Sequence, residues 1–133
     1  VIGLMKVDKK DVTSYGIIES SMFKKNMYKI KNMIEKPKVK DAPSNLAIVG
    51  RYILLNDTYK YIKKTKIGSG GELQITDAIF LSSKYHDVWG YKFSGKRYDC
   101  GNKIGFLKAQ IATAFKDKDI KKEIKKFIRN LGG

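Results

Sequence analysis

Apolar and polar positions along this chain alternate between two periods, and the switches between them mark out its elements. Val1–Val7 is apolar on both faces, which predicts a strand inside a sheet rather than at its edge. Asp8–Tyr15 is polar and turn-like. Ile17–Phe23 and Tyr28–Glu35 carry β-branched and aromatic residues and predict a hairpin about Lys24-Lys25-Asn26. The charged stretch Lys36–Pro43 contains Pro37 and Pro43, which cannot donate to a ladder, so it predicts a loop. Leu46–Leu55 is the strongest strand pattern. Asn56 or Asp57 is placed to cap a short helix through Lys64, with Tyr59 and Ile62 on one face.

After a glycine loop at Ile67–Glu72, Thr76–Tyr85 predicts a helix and Val88–Ser94 alternates as a strand should. Ile104, Leu107, Ile111, Ala114 and Phe115 then recur at helical spacing. Lys118–Leu131 puts Ile120, Ile124, Phe127, Ile128 and Leu131 on one helical face and lysines on the other, which reads as a solvated face. The alternation of strands and helices predicts an α/β layer architecture. With no internal repeat, low-complexity tract or linker, residues 1–133 are expected to form a single unit, long enough to bury a core.

Composition narrows the partners. The net charge of +15 would attract any polyanion. Arginine, the preferred fork for phosphate and base edges, occurs only at Arg51, Arg97 and Arg129, and lysine is spread along the whole chain. That argues against a dedicated nucleic-acid module. No apolar run approaches the roughly 20 residues that span a bilayer, so no membrane partner is expected. Cys100 is the single cysteine, which leaves no intrachain disulfide and agrees with a reducing cytoplasm.

Three places carry candidate chemistry. Glu35-Lys36-Pro37 lies at a strand end, where α/β chains present functional groups to a crevice. A lysine ammonium there suits phosphoryl transfer, because it offsets charge growing on phosphate oxygens. An ordinary surface salt pair before a turn would read the same way. Gly50, between Val49 and Arg51, implies either a close approach to the backbone or a buried strand with one small residue. Asp99-Cys100-Gly101 places a carboxylate beside a glycine, which suits a Mg²⁺ ion held by one or two carboxylates and substrate phosphates. Alternatively, Asp99 caps the helix that Asn102 and Lys103 begin.

Gly68-Ser69-Gly70-Gly71-Glu72 lacks the Gly-Lys-Ser/Thr ending of a phosphate loop and reads as a connection. Thr76 or Asp77 is placed to cap the following helix, and Glu72 to reach a sugar hydroxyl. The lone His86 reads as a surface or capping residue.

The order and spacing of Ser14-Tyr15-Gly16-Ile17, Glu35-Lys36-Pro37, Ala42–Tyr52, Gly71–Ile79 and Asp99–Lys103 resemble the C-terminal half of the bacterial UTP–glucose-1-phosphate uridylyltransferases, the UDP-glucose pyrophosphorylases. The resemblance implies part of a Rossmann-like nucleotide-diphospho-sugar transferase fold, with a mixed central sheet flanked by helices. It implies transfer of a uridylyl group from UTP to glucose 1-phosphate, giving UDP-glucose and pyrophosphate, with Mg²⁺ as cofactor. Glu35 would accept hydrogen bonds from sugar hydroxyls, and Lys36 would reach the phosphate. Gly16, the backbone near Ile48 and the ring of Tyr52 would line the sugar pocket. Asp99 would be the second protein ligand of the metal, so Lys36 and Asp99 would be the catalytic pair.

The family's Gly-rich nucleotide loop and its first metal-binding aspartate have no counterpart among these residues. The expected partners therefore include the N-terminal half and further copies of the chain. Alone, the chain is expected to be inactive. Its first strand, Val1–Val7, is expected to lie uncovered and to drive association. A non-catalytic sugar-phosphate-binding remnant would share every motif quoted. A dTTP- or CTP-dependent relative fits the Ser44–Tyr52 and Asp99–Lys103 motifs less well.

Overall fold

The computed structural model describes residues 1–68 and 71–131. Five strands, β1 (Ile2–Lys6), β2 (Gly16–Lys24), β3 (Met27–Glu35), β4 (Leu46–Tyr52) and β5 (Trp89–Lys92), are joined by helices α1 (Thr58–Ile62) and α2 (Ile75–Ser82), which both lie between β4 and β5. These belong to a compact unit, Val1–Ser94. A second unit, Gly95–Gly133, holds α3 (Lys103–Ala114) and α4 (Lys118–Leu131). The chain thus packs as two units where its sequence reads as one.

The sheet is mixed, in the order β1-β4-β2-β3-β5, and it closes because β5 pairs back onto β1. β1 runs antiparallel to β4 and parallel to β5; β2–β3 and β3–β5 are antiparallel, and Ile17↔Ala47 joins β2 to β4. Ile2 and Leu4 are 1% and 0% exposed. The expectation of an uncovered first strand is therefore corrected: β1 is central, as its two apolar faces predict, and both of its flanks are paired within this chain. Ile2, Leu4, Ile18, Tyr28, Ile30, Met33, Ile48, Ile79 and Val88 form the main core, and Val12, Ile17 and Ala47 a smaller one. Helix α2 supplies Ile79 to the main core and packs on β3.

Local chemistry explains most boundaries. Asn26 takes φ 65° in the two-residue turn between β2 and β3, a conformation asparagine tolerates. Ser44 Oγ donates to Ile18 O at 2.6 Å and accepts from Leu46 N–H at 3.0 Å, while Asn45 Nδ2 donates to Val7 O. These two polar residues brace the entry to β4. In the second unit, Asn102 Oδ1 accepts from Gly105 N–H and caps α3; Asp117 Oδ1 accepts from the N–H groups of Asp119 and Ile120 and caps α4. Neither helix has a buried residue, and Ile120, Phe127, Ile128 and Leu131 stay 49–67% exposed. Periodicity located these helices but not a cover for their apolar faces. No helix among the described residues is long and apolar enough to cross a membrane.

Gly50 corrects one expectation. It has φ +71° and nothing within 4 Å of the position a Cβ would occupy, so backbone conformation and not close approach demands glycine. The register shift between β1 and β4 falls here, with Leu4 opposite Ile48 but Ile2 opposite Tyr52. The close approach is at Gly3, whose Cβ would lie 3.1 Å from Val49 Cγ2 and 3.2 Å from Arg51 Cβ.

Two glycines should therefore respond differently to substitution. At Gly90 a Cβ would collide with the Leu4 side chain in the core, so Gly90→Ala should cost about 1–3 kcal/mol by overpacking, and Gly90→Asn more. Gly50→Ala should cost about 1–2 kcal/mol through its left-handed backbone, and Gly50→Asn should recover part of that loss. Urea unfolding midpoints measure all four. Equal losses for Ala and Asn at position 50 would refute the conformational account.

Candidate functional site

The antiparallel register of β2 and β3 sets Gly16 directly opposite Glu35, 19 residues away in sequence. Side chains facing one another across such a pair have Cβ atoms about 4.5–5.5 Å apart. Here one partner has no side chain, and the Glu35 carboxylate uses that space. A Cβ on Gly16 would lie 2.8 Å from Glu35 Oε2, 3.2 Å from Ile48 Cδ1 and 3.5 Å from Thr76 Oγ1. Residues from β2, β3, β4 and α2 thus meet at one point.

Tyr52 follows Ile48 on β4, beyond the glycine bulge. Its phenol pKa is raised above the ordinary 10.0, first by burial and second by the negative charge of Glu35. Of the residues that the resemblance gave for a sugar pocket, Gly16, Glu35 and Ile48 lie side by side, and the charge of Glu35 is felt at the Tyr52 phenol. The result is a half-buried carboxylate in the space that Gly16 leaves, with the Ile48 side chain bordering the same space. A carboxylate accepts hydrogen bonds and donates none, so the arrangement suits a neutral, hydroxyl-bearing ligand.

Lys36 continues from β3, and its N–H donates to Tyr15 O at 3.0 Å. Its φ is +46°, a left-handed value that costs a non-glycine residue about 1–3 kcal/mol. The residue after it, Pro37, is buried, so the chain is anchored on both sides of the strained position. The Lys36 side chain is exposed. Strain of this kind persists where the surroundings impose it, and here it turns the chain sharply one residue beyond the carboxylate.

Thr76 was misread from sequence. Gln74 holds the N-cap position of α2 without a side-chain cap bond, and neither Thr76 nor Asp77 caps. Instead Thr76, 3% exposed, donates from Oγ1 to Glu35 Oε2 at 2.8 Å. The signal was its spacing: Thr76 lies three residues before buried Ile79 and so on the inward face of α2. Asp57 likewise makes no cap bond for α1; its Oδ2 lies 3.4 Å from His86 Nε2, which ties His86 to α1. Glu72 is exposed, and Ser69 and Gly70 lie outside the described residues.

Asp99 lies in the second unit. Its Oδ1 accepts from Gly101 N–H at 3.0 Å and its backbone O accepts from Asn102 Nδ2 at 3.3 Å. Because Asn102 caps α3, the capping alternative for Asp99 is excluded. A Cβ at Gly105 would collide with Asp99 O, so the turn closes only over glycine. The carboxylate is exposed. By itself it offers a cation one hard oxygen ligand and no more. Among the described residues no group of three or more His, Cys, Asp or Glu is placed to hold a metal by itself.

The Tyr52 phenol gives this geometry a direct test. Glu35→Gln removes the second cause of its raised pKa, so the Tyr52 value should fall towards 10.0 without reaching it. In the unaltered chain Tyr52 should contribute stability that is intact below pH 10. That contribution should fall as pH rises from 10 through the raised folded value, because the unfolded chain loses the proton first. NMR titration of the assigned Tyr52 ring signals, with urea midpoints above pH 10, checks both. An unchanged Tyr52 pKa in the variant would separate the two side chains.

A family model described as nucleotidyl transferase matches residues 2–115. A relative from Methanocaldococcus jannaschii is 46% identical over 98% of this chain and 47% of its own length. The UTP–glucose-1-phosphate uridylyltransferase 1 of Staphylococcus saprophyticus is 42% identical over 98% of this chain and 46% of its own length. A UDP-glucose pyrophosphorylase crystallised with UDP-glucose superposes with a TM-score of 0.82 at 41% identity, over 87% of this chain and 44% of that one. A UTP-bound UDP-glucose pyrophosphorylase from Acinetobacter baumannii gives 0.84 at 32% identity, over 98% and 45%. The chain therefore spans just under half the length of the relatives it matches. With a family match that takes in nearly all of the first unit, the second unit as far as residue 115 and every site residue named above, this chain belongs to the nucleotidyl transferase family.

Proposed function

We propose that this chain is the sugar-phosphate-binding half of a UTP–glucose-1-phosphate uridylyltransferase, which converts UTP and glucose 1-phosphate to UDP-glucose and pyrophosphate. The observation that carries the reading is the Glu35 carboxylate set in the space left by Gly16 beside Ile48, with its charge felt at the Tyr52 phenol. Relatives named for this activity, and neighbours crystallised with UDP-glucose and with UTP, support the choice of substrate.

In this reading Glu35 accepts hydrogen bonds from sugar hydroxyls while Ile48 and Tyr52 wall the ring. Lys36, one residue on, neutralises the phosphate. A glucose 1-phosphate oxygen attacks the α-phosphorus of UTP and pyrophosphate leaves, so no nucleophilic side chain is required. Positioning and charge neutralisation supply the rate. Asp99 serves as one ligand of Mg²⁺, which when bound would offset charge on the phosphates. The single cysteine supports a cytoplasmic setting, and the uncovered apolar face of α4 supports self-association.

Calorimetric titration with UDP-glucose, with and without Mg²⁺, against a random single-stranded oligonucleotide tests this assignment. Saturable UDP-glucose binding that Glu35→Gln weakens is expected. Oligonucleotide binding that outcompetes it would return the lysines to a nucleic-acid role. By itself the chain should form no UDP-glucose; turnover well above background would overturn the residue assignments. In a fusion that adds the N-terminal half of a relative, Lys36→Ala should lower kcat strongly with less effect on UTP binding. Asp99→Asn should steepen the Mg²⁺ requirement, and an unchanged Mg²⁺ dependence would remove Asp99 from the metal.

A further inference from the structure

We infer that Thr76 is a positioning residue for sugar recognition, acting through Glu35 and not by touching the ligand. The inference rests on the sugar-phosphate reading above. A glutamate side chain turns about three bonds, and a half-buried carboxylate without partners would sample several rotamers. Here two constraints act on one oxygen. Gly16 leaves the space in which Oε2 lies, and Thr76 Oγ1 donates to that oxygen at 2.8 Å. A hydrogen bond to an ionised group is among the stronger kinds, and a threonine at 3% exposure has little water to turn to instead.

With Oε2 held this way, the carboxylate is fixed as an acceptor before any ligand arrives. Ordering that would otherwise accompany binding is already complete. The threonine is well suited to the task. It is β-branched, stiff at χ1, and fixed at the first turn of α2, whose Ile79 is locked in the core. Asparagine there would add an amide oxygen, and lysine a charge with three donors, to a position where the hydroxyl of Thr76 meets Glu35 Oε2. Threonine supplies a single donor.

The test is a pair of double-mutant cycles on the full 133-residue chain, combining Thr76→Val, Thr76→Ser and Glu35→Gln. The first cycle reads urea unfolding and needs no ligand. Thr76→Val and Glu35→Gln should be non-additive, and additive losses would show that the pair does not form and overturn the inference. The second reads binding of glucose 1-phosphate, with inorganic phosphate as the probe that lacks the sugar. Thr76→Val should weaken glucose 1-phosphate about tenfold while leaving phosphate binding unchanged. Thr76→Ser should restore most of the affinity, and Thr76→Val should have no further effect in the Glu35→Gln background. Equal losses for both probes would mark Thr76 as merely structural. If the unaltered chain binds phosphate but not the sugar phosphate, while the unfolding cycle stays coupled, the sugar reading fails. The contact is then packing alone, and the positioning role falls with that reading.

Discussion

The cross-strand pairing of Gly16 with Glu35 is the constraint on which this site depends. It is a register statement: one residue of slip between β2 and β3 would turn the carboxylate to the other face of the sheet. The register is held by what lies on either side of it. Ile17 and Ile18 are fully buried and belong to two different core clusters, so slipping would expose both. Each such isoleucine contributes about 1.5–3 kcal/mol by its burial. Core packing therefore fixes the position of a charged group that the core itself excludes.

Glycine has three distinct physical uses around this site. At Gly16 it makes room for a carboxylate; at Gly3 it lets the β4 bulge pass close by; at Gly50 it supplies the left-handed backbone of that bulge. The last two act together. The bulge shifts the register from Leu4↔Ile48 to Ile2↔Tyr52, and this local irregularity sets how Tyr52 follows Ile48. A regular ladder would pair Ile2 with Gly50 instead. The irregular feature is thus part of how the wall of the site is built.

Much of this was legible in the sequence, for identifiable reasons. Strands and helices followed from periodicity, and α4 matched its expected span residue for residue. Gly16, Glu35, Ile48 and Tyr52 were named through the family resemblance, and the first three border one space in the fold. What failed were inferences about which partner a polar residue chooses. Thr76, Asp77 and Asp57 all stood at helix starts, where a cap is the local expectation. Thr76 took a strand carboxylate and Asp57 a histidine, partners 41 and 29 residues away. Capping preferences describe local competition, whereas these contacts are decided by tertiary packing. The division into two units was also hidden, because helical spacing reports an apolar face without reporting what covers it.

The charge balance shows why the carboxylate matters. At a net charge of +15 the chain draws in anions of every kind, and exposed lysines act over a Debye length of about 8 Å with little regard to structure. Attraction of that sort raises local concentration but does not distinguish a sugar phosphate from a bare phosphate. Discrimination needs a group that phosphate avoids and hydroxyls seek. Glu35 is such a group, and it immediately precedes Lys36, whose left-handed backbone turns the chain just beyond it. A carboxylate at the neutral end and an ammonium at the anionic end, one residue apart, impose a direction on a ligand that has both. Under the proposed function, the same two residues that bind glucose 1-phosphate also orient it, and the buried Thr76 hydroxyl keeps the first of them in place.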